Sequence, residues 1–432
     1  MARRGVEQAG DESVISDECN LMKASFDNAL EKYAELAVRE GMNVQPGQRV
    51  FVRATRGEPD LAHRVARAAY RAGASLVDVL WEDDALDLIR VQEATRESLE
   101  LWSDAYVRAF VGAAERNDAF LLIHSPDPEL FANVDAARAD AFRKARLNAI
   151  RAMLQSQSRN EFQWSVCRVP NAEWATRVYP DAENAREKLW DAIFEMCRVN
   201  TSDPNAAWRT HTATLRKRSI ALTAKQYDAL HYKSPVTDFT LGLPRGHIWF
   251  GGSSTTPRGI SFSANIPTEE VFTLPHRERA DGYVTMTRPL SINGVLIQNF
   301  SLAFENGRIT RVDASNGQDV LEKLIASDEG AARLGEVALV PASNPIARMN
   351  TIFYDGLFDE NAASHIAIGR AYRFTLQGGT QMSDEKFRAA GGNDSIIHED
   401  TMLGSGGMDI DGIRQDGTRE PVMRAGEWAF EV

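Results

Sequence analysis

Apolar residues recur at helical spacing through Phe26, Leu30, Tyr33 and Ala37, and the run stops near Gly41. This predicts an amphipathic helix closed by a glycine. Pro46-Gly47 then turns the chain into a short apolar strand at 49–52. A second helical face, Leu61, Val65, Ala68 and Ala72, stops at Gly73 and feeds a strand at 75–80. Strand, helix and strand in that order predict a parallel βαβ unit. A further buried strand is expected at 119–124, before the turn Pro126-Asp127-Pro128, and helical pattern continues to about Arg198. The character changes after the polar stretch at 200–205. Short alternating runs at 238–243, 248–252, 282–288, 295–304 and 308–313, separated by Gly, Pro and Asn, predict antiparallel strands and hairpins.

The expected fold class is therefore α/β and α+β. A flexible tail at 1–20 precedes an N-terminal α/β domain at 21–205 that contains the βαβ unit. A strand-rich C-terminal domain follows at 206–432. A chain of 432 residues supports such a division. The βαβ unit raises nucleotide binding, but the loop at 54–59 holds a single glycine and lacks both the dinucleotide and the P-loop patterns.

Composition narrows the class. A net charge of -12 disfavours nucleic acid and anionic membranes, since both attract basic surfaces. Cys19, Cys167 and Cys197 are far apart, which gives neither a disulfide framework nor a thiolate zinc site. The first twenty residues are polar and no apolar run reaches the ~18 residues of a membrane span, so a cytoplasmic protein is expected.

Four segments carry candidate chemistry. In an extended His398-Glu399-Asp400, the histidine and the aspartate project to one face and could ligate one metal ion. An isolated triplet of this kind is more often a surface ion pair. The small and apolar residues around 358–372 predict a buried helix with His365 and Tyr372 sharing a face two turns apart. A lone histidine there is more often a core residue bonded to backbone. Glu269 and Glu270 are adjacent between apolar residues and prolines. In a strand one would face solvent and the other inward, where an unpaired carboxylate is costly without a cation. Glu336 opens an otherwise apolar strand, and its ordinary reading is an edge-strand glutamate in water. Together these are carboxylates, imidazoles and a phenol with no thiolate, a donor set that suits zinc, cobalt or manganese in a hydrolytic site.

In order and spacing, the segments 265–275, 334–340, 358–372 and 393–404 closely resemble those of the thermophilic metallo-aminopeptidase family, the aminopeptidases T and S. The likeness extends to 33–48, to Trp174-Ala175 with Tyr179-Pro180, and to the ending 426–430. The resemblance implies metal ligands at Glu270, Glu336, His365, His398 and Asp400, with Tyr372 in the same site. It further implies two divalent cations (Zn, Co or Mn), a water activated between them, short peptides as substrates and a homodimer. The C-terminal domain would then be the catalytic one. Glu269 is the expected general base, with orienting a ligand or meeting solvent as the alternative, and Tyr372 is expected to ligate a metal or donate a hydrogen bond to the oxyanion. Glu399, Thr401 and Ser364 depart from the residues expected in the family, which bears on substrate choice and metal preference.

Two rival readings remain at this level. One is a mononuclear iron ring-cleaving dioxygenase on a related scaffold, which would have no need of Glu270 and Glu336. The other is a non-catalytic metal-binding protein, which the intact ligand types disfavour.

Overall fold

The computed structural model describes the backbone of residues 9–56, 59–292 and 295–432. Helix α1 (Ala9–Leu36) runs into a π-helical turn, Ala37–Gly41. Leu30, Tyr33 and Ala37 of the predicted face are fully buried. Of the tail expected at 1–20, residues 1–8 lie outside the described residues, and the helix begins at Ala9.

Four parallel strands follow: β1 (Arg49–Thr55), β2 (Leu76–Glu82), β3 (Ala119–His124) and β4 (Trp164–Arg168). Their order is β2-β1-β3-β4. Helix α2 (Pro59–Arg71) makes the crossover from β1 to β2. Helix α3 (Ala136–Ala149) lies in the crossover from β3 to β4. β4 sits inside a stretch expected to be helical throughout. It is only five residues long, and its pairing with β3 decides its state rather than its own pattern.

Helix α4 (Pro204–Lys225) leads into the strand-rich part. An eight-stranded sheet there spreads from the strand Arg308–Asp313 at one edge to Glu427–Trp428 at the other. The run expected as one strand at 295–304 is two, Val295–Ile297 and Ser301–Glu305, broken at Asn299, whose φ of 47° no strand accommodates.

A second antiparallel sheet carries the chemistry. Its strands are β5 (Phe250–Gly251), β6 (Val271–Thr273), β7 (Leu334–Leu339), β8 (His365–Gly369) and β9 (His398–Met402). The order is β9-β8-β7-β6-β5. Here the expected helix at 358–372 fails. Only α5 (Gly356–Glu360) is helical, and His365 begins a strand. Every residue of β7 and β8 is buried, so neither strand shows the alternation that separates strand from helix. His365 and Tyr372 are consequently not partners on one helix.

The halves share an apolar core. Ile266, Phe353 and Phe358 pack into the cluster built on α1 and the parallel sheet. Phe353 and Phe358 are fully buried, and each contributes roughly 1.5–3 kcal/mol. No helix among the described residues is long and apolar enough to cross a membrane.

Candidate metal centre

Register brings the candidate residues together. Glu336 and Asp400 both stand opposite Ala367 of β8, while His398 stands opposite Gly369 and His365 opposite Ala338. Side chains alternate along a strand, so Glu336, His365, His398 and Asp400 occupy one face. Phe272 stands opposite Ala338 as well, and continuing its alternation backward puts Glu270 on that face. Ala338 and Ala367 keep the floor between the ligand-type residues small.

Two groups result. Glu270, Glu336 and His365 form one, and Glu336, His398 and Asp400 the other; within each, one donor atom per residue lies within 4.8 Å of the others. Glu336 belongs to both. His365 Nε2 is 3.1 Å from Glu270 Oε2, 3.7 Å from Glu336 Oε1 and 3.8 Å from Asp400 Oδ1. His398 Nε2 is 3.7 Å from Glu336 Oε2 and 3.8 Å from Asp400 Oδ2.

The outer ring nitrogens fix the tautomers. His365 Nδ1 lies 3.0 Å from the Ala363 carbonyl and His398 Nδ1 2.7 Å from the Arg370 carbonyl. A carbonyl only accepts, so each Nδ1 carries the proton and donates it. Each neutral ring then aims the lone pair of Nε2 at carboxylate oxygens. His365 Nε2 and Asp400 Oδ1 are buried without hydrogen-bond partners. Lone pairs facing lone pairs in a buried site are costly unless a cation stands between them, so this donor set fits a metal.

The surrounding carboxylates favour positive charge at this place, which a proton on Nε2 supplies when no cation is bound. Burial would lower the His365 imidazole, but Glu270, Glu336 and Asp400 raise it well above the usual histidine range. Burial raises the Glu336 carboxyl, His365 opposes the shift, and Glu270 and Asp400 add to it. Burial and then Asp400 raise Glu399 to about 8.

Tyr372 lies beyond the end of β8, its ring 5.0 Å from that of His398 and stacked on Phe374 at 5.4 Å. Burial, followed by the charges of Glu336 and Asp400, raises its hydroxyl pKa. The turn that brings it back depends on Gly369, whose φ is 103° and whose Cβ would sit 2.3 Å from the Ile397 carbonyl.

Glu269 and Glu270 precede β6, and both are buried, at 3% and 9% exposure, so neither meets solvent as a strand reading requires. Glu269 is instead 2.7 Å from Arg198 Nη2 and 3.6 Å from His211 Nε2. Glu336 is not at a sheet edge but on the central strand of five.

Reasoning from one sequence missed several members of the site. Glu360, at the end of α5, shares the field of Asp400, Glu270, His365 and Glu336, and burial followed by these carboxylates raises it well above its usual range. Buried Asn361 accepts from Glu269 N at 2.7 Å and donates to Leu357 O at 2.9 Å, tying the Glu270 segment to α5. Arg168, ending β4, donates to Asp355 at 2.8 Å, and Asp355 caps α5. No spacing or motif distinguishes these residues from ordinary surface polar groups. A cavity of about 440 Å³ opens onto the cluster, and Glu360, His398, Glu399 and Asp400 line it together with Phe131 and Arg143.

The comparisons with known proteins agree with this geometry. Residues 26–428 match the thermophilic metalloprotease (M29) family. The chain is 42% identical over 409 residues to Aminopeptidase 2 of Geobacillus stearothermophilus, covering 94% of this chain and 99% of that one. It is 43% identical over 408 residues to Aminopeptidase AmpS of Bacillus subtilis (strain 168), covering 94% and 100%. The solved structure of wild-type AmpT from Thermus thermophilus superposes with a TM-score of 0.89 at 41% identity, covering 94% of this chain and 100% of that one. Neither the dioxygenase nor the non-catalytic reading finds support in these matches. With its fold, its buried donor set and its full-length relatives in agreement, the chain belongs to the thermophilic metalloprotease (M29) family.

Proposed function

We propose that this metalloprotease releases N-terminal residues from short peptides, using two divalent cations of the zinc, cobalt or manganese kind. The enzyme is a metal-dependent aminopeptidase, a hydrolase of peptide bonds. Glu270, Glu336 and His365 would hold one cation and Glu336, His398 and Asp400 the other, with Tyr372 beside them. One observation carries this reading: two imidazoles with Nδ1 tied to carbonyls turn Nε2 toward a shared Glu336.

A bound pair of cations supplies Lewis acidity, polarising the scissile carbonyl and lowering the pKa of water. The protein's own groups do the rest. Glu360 lines the cavity beside Asp400, and among the described residues no arginine or lysine forms an ion pair with it; we assign it the proton that must pass from water to the leaving amine. Glu269, the base expected from the sequence, is paired with Arg198, so in our reading it takes the orienting role and holds the Glu270 segment in place. The Tyr372 hydroxyl donates to the carbonyl oxygen as charge develops there. The catalytic machinery lies in 206–432, and residues 21–205 contribute Asp127, Phe131 and Arg143 to the cavity wall. The resemblance supports a cytoplasmic homodimer, which light scattering would check.

Free α-amines suit such a site. A protonated amine pairs with another carboxylate of the cavity wall, and acetylation removes the charge. The purified enzyme should cut a free pentapeptide stepwise from its N-terminus, and its acetylated twin roughly ten- to a hundredfold more slowly. Metal analysis of the same preparation should find two ions per chain. Equal rates on the two peptides, or internal cuts appearing first, would sink the aminopeptidase assignment.

Ala367 provides a test that leaves every ligand in place. It faces both Glu336 and Asp400 in register, so Ala367→Leu would fill the floor between them. We expect a folded protein, destabilised by about 1–3 kcal/mol from overpacking, that binds less than one metal per chain. Normal metal content in that variant would place the ions elsewhere.

A further inference from the structure

We infer that Arg143 is the anchor for the C-terminal carboxylate of the substrate, so that the enzyme selects free short peptides at both ends. The inference rests on the aminopeptidase reading and deepens it. Among the described residues that line the cavity of about 440 Å³, Arg143 is the only lysine or arginine, whereas six are Asp or Glu. The volume is near the low end of the roughly 300–1,000 Å³ typical of small-ligand sites, so both ends of a di- or tripeptide fall within reach of its walls. The amine end belongs at the Glu360–Asp400 side. The carboxylate end would then enter an acidic cavity, where its desolvation is offset only if it meets a guanidinium, the group best shaped to hold it.

Topology supplies a second, independent reason. The chain leaves β1 for β2 on one side and returns to β3 on the other, so the switch point of the parallel sheet lies between β1 and β3. Open α/β sheets bind ligands outside the carboxyl ends of their strands at such a point. The loop that leaves β3 there contributes Asp127 and Phe131 to the cavity wall and leads into α3, which carries Arg143. The sequence at 54–59 lacks the phosphate-binding glycine patterns, and a carboxylate subsite gives the ligand-binding edge of the N-terminal sheet a use. Phe131, which also lines the cavity, offers an apolar surface to the last side chain.

The test compares leucyl-glycyl-glycine, its C-terminal amide and leucine p-nitroanilide on the metal-loaded enzyme. The wild type is expected to favour the free acid over the amide by roughly tenfold or more in kcat/KM. In Arg143→Ala that ratio should fall toward one, through KM for the acid, and Arg143→Lys should retain part of it. The ratio is the readout, so a general loss of activity cannot imitate the effect, and the wild-type comparison stands even if the alanine variant does not fold. Equal kcat/KM on acid and amide in the wild type, or a loss shared equally by both in Arg143→Ala, would overturn the subsite while anilide turnover upholds the aminopeptidase. Release of leucine from none of the three would overturn both.

Discussion

Glu336→Ala should abolish peptide hydrolysis, with a loss of at least about a thousandfold, or some 4 kcal/mol of transition-state stabilisation. Glu336 belongs to both donor groups, so in the proposed two-cation site its removal would weaken both positions at once. His398→Ala should be nearly as severe, because His398 Nε2 is the only nitrogen donor in its group. Neither change should unfold the chain, since β7 and β9 are held by their neighbours in the sheet. Glu336→Gln separates charge from shape. In metal-free protein Glu270, Glu336 and Asp400 repel one another within a buried site, and removing one charge should raise the thermal midpoint. In metal-loaded protein the same change should lower it, because a ligand is lost. Near wild-type turnover by Glu336→Ala, or shifts of the same sign with and without metal, would show that Glu336 is no metal ligand.

The second large effect is on stability. Arg198→Ala leaves the Glu269 carboxylate, 4% exposed in its side chain, without the guanidinium 2.7 Å away. Breaking a buried pair from one side costs roughly 3–5 kcal/mol, because the remaining charge stays desolvated. Arg198 Nη2 also donates to His211 Nδ1 at 3.1 Å, while His211 Nε2 donates to the Thr268 carbonyl at 2.8 Å, so the damage should spread along the segment that carries Glu270. Denaturant unfolding would measure the loss, and metal titration should show weaker binding. Adding Glu269→Gln to Arg198→Ala removes the orphaned charge and should restore a good part of the stability, with a coupling energy that a double-mutant cycle reads directly. A cost below about 1 kcal/mol, or strict additivity, would mean that the pair does not hold the segment.

The legibility of this site varied by residue. His398 and Asp400 were readable because an extended His-x-Asp puts both side chains on one face whatever surrounds it, and β9 is such a strand. Glu270 and Glu336 stood out as carboxylates in apolar surroundings, where an unpaired charge calls for a cation. His365 was singled out as a residue of interest on an expected helix, and the structure places it on a strand. Small and apolar residues on a strand buried on both faces carry no alternation, and β8 exists because β7 and β9 flank it. Glu360, Asn361, Arg168 and Arg198 gave no signal, since their importance lies in distances to residues far away in sequence.

The sequence by itself determined the βαβ unit, the strand-rich C-terminal half, the donor types and the absence of a phosphate loop. Each of these depends on local spacing or composition, which a single chain displays directly. The tertiary structure decided what long-range pairing controls: the short strand β4, the conversion of an expected helix into β8, and the shared position of Glu336 between two histidines. It also decided the fate of Glu269. Two adjacent carboxylates look alike along a chain, but only one can share the face of β7 and β8, and the other is turned toward Arg198, far upstream in the sequence. Which charge meets which partner is set by packing, because a buried carboxylate is tolerable only where a cation or guanidinium has been brought to it.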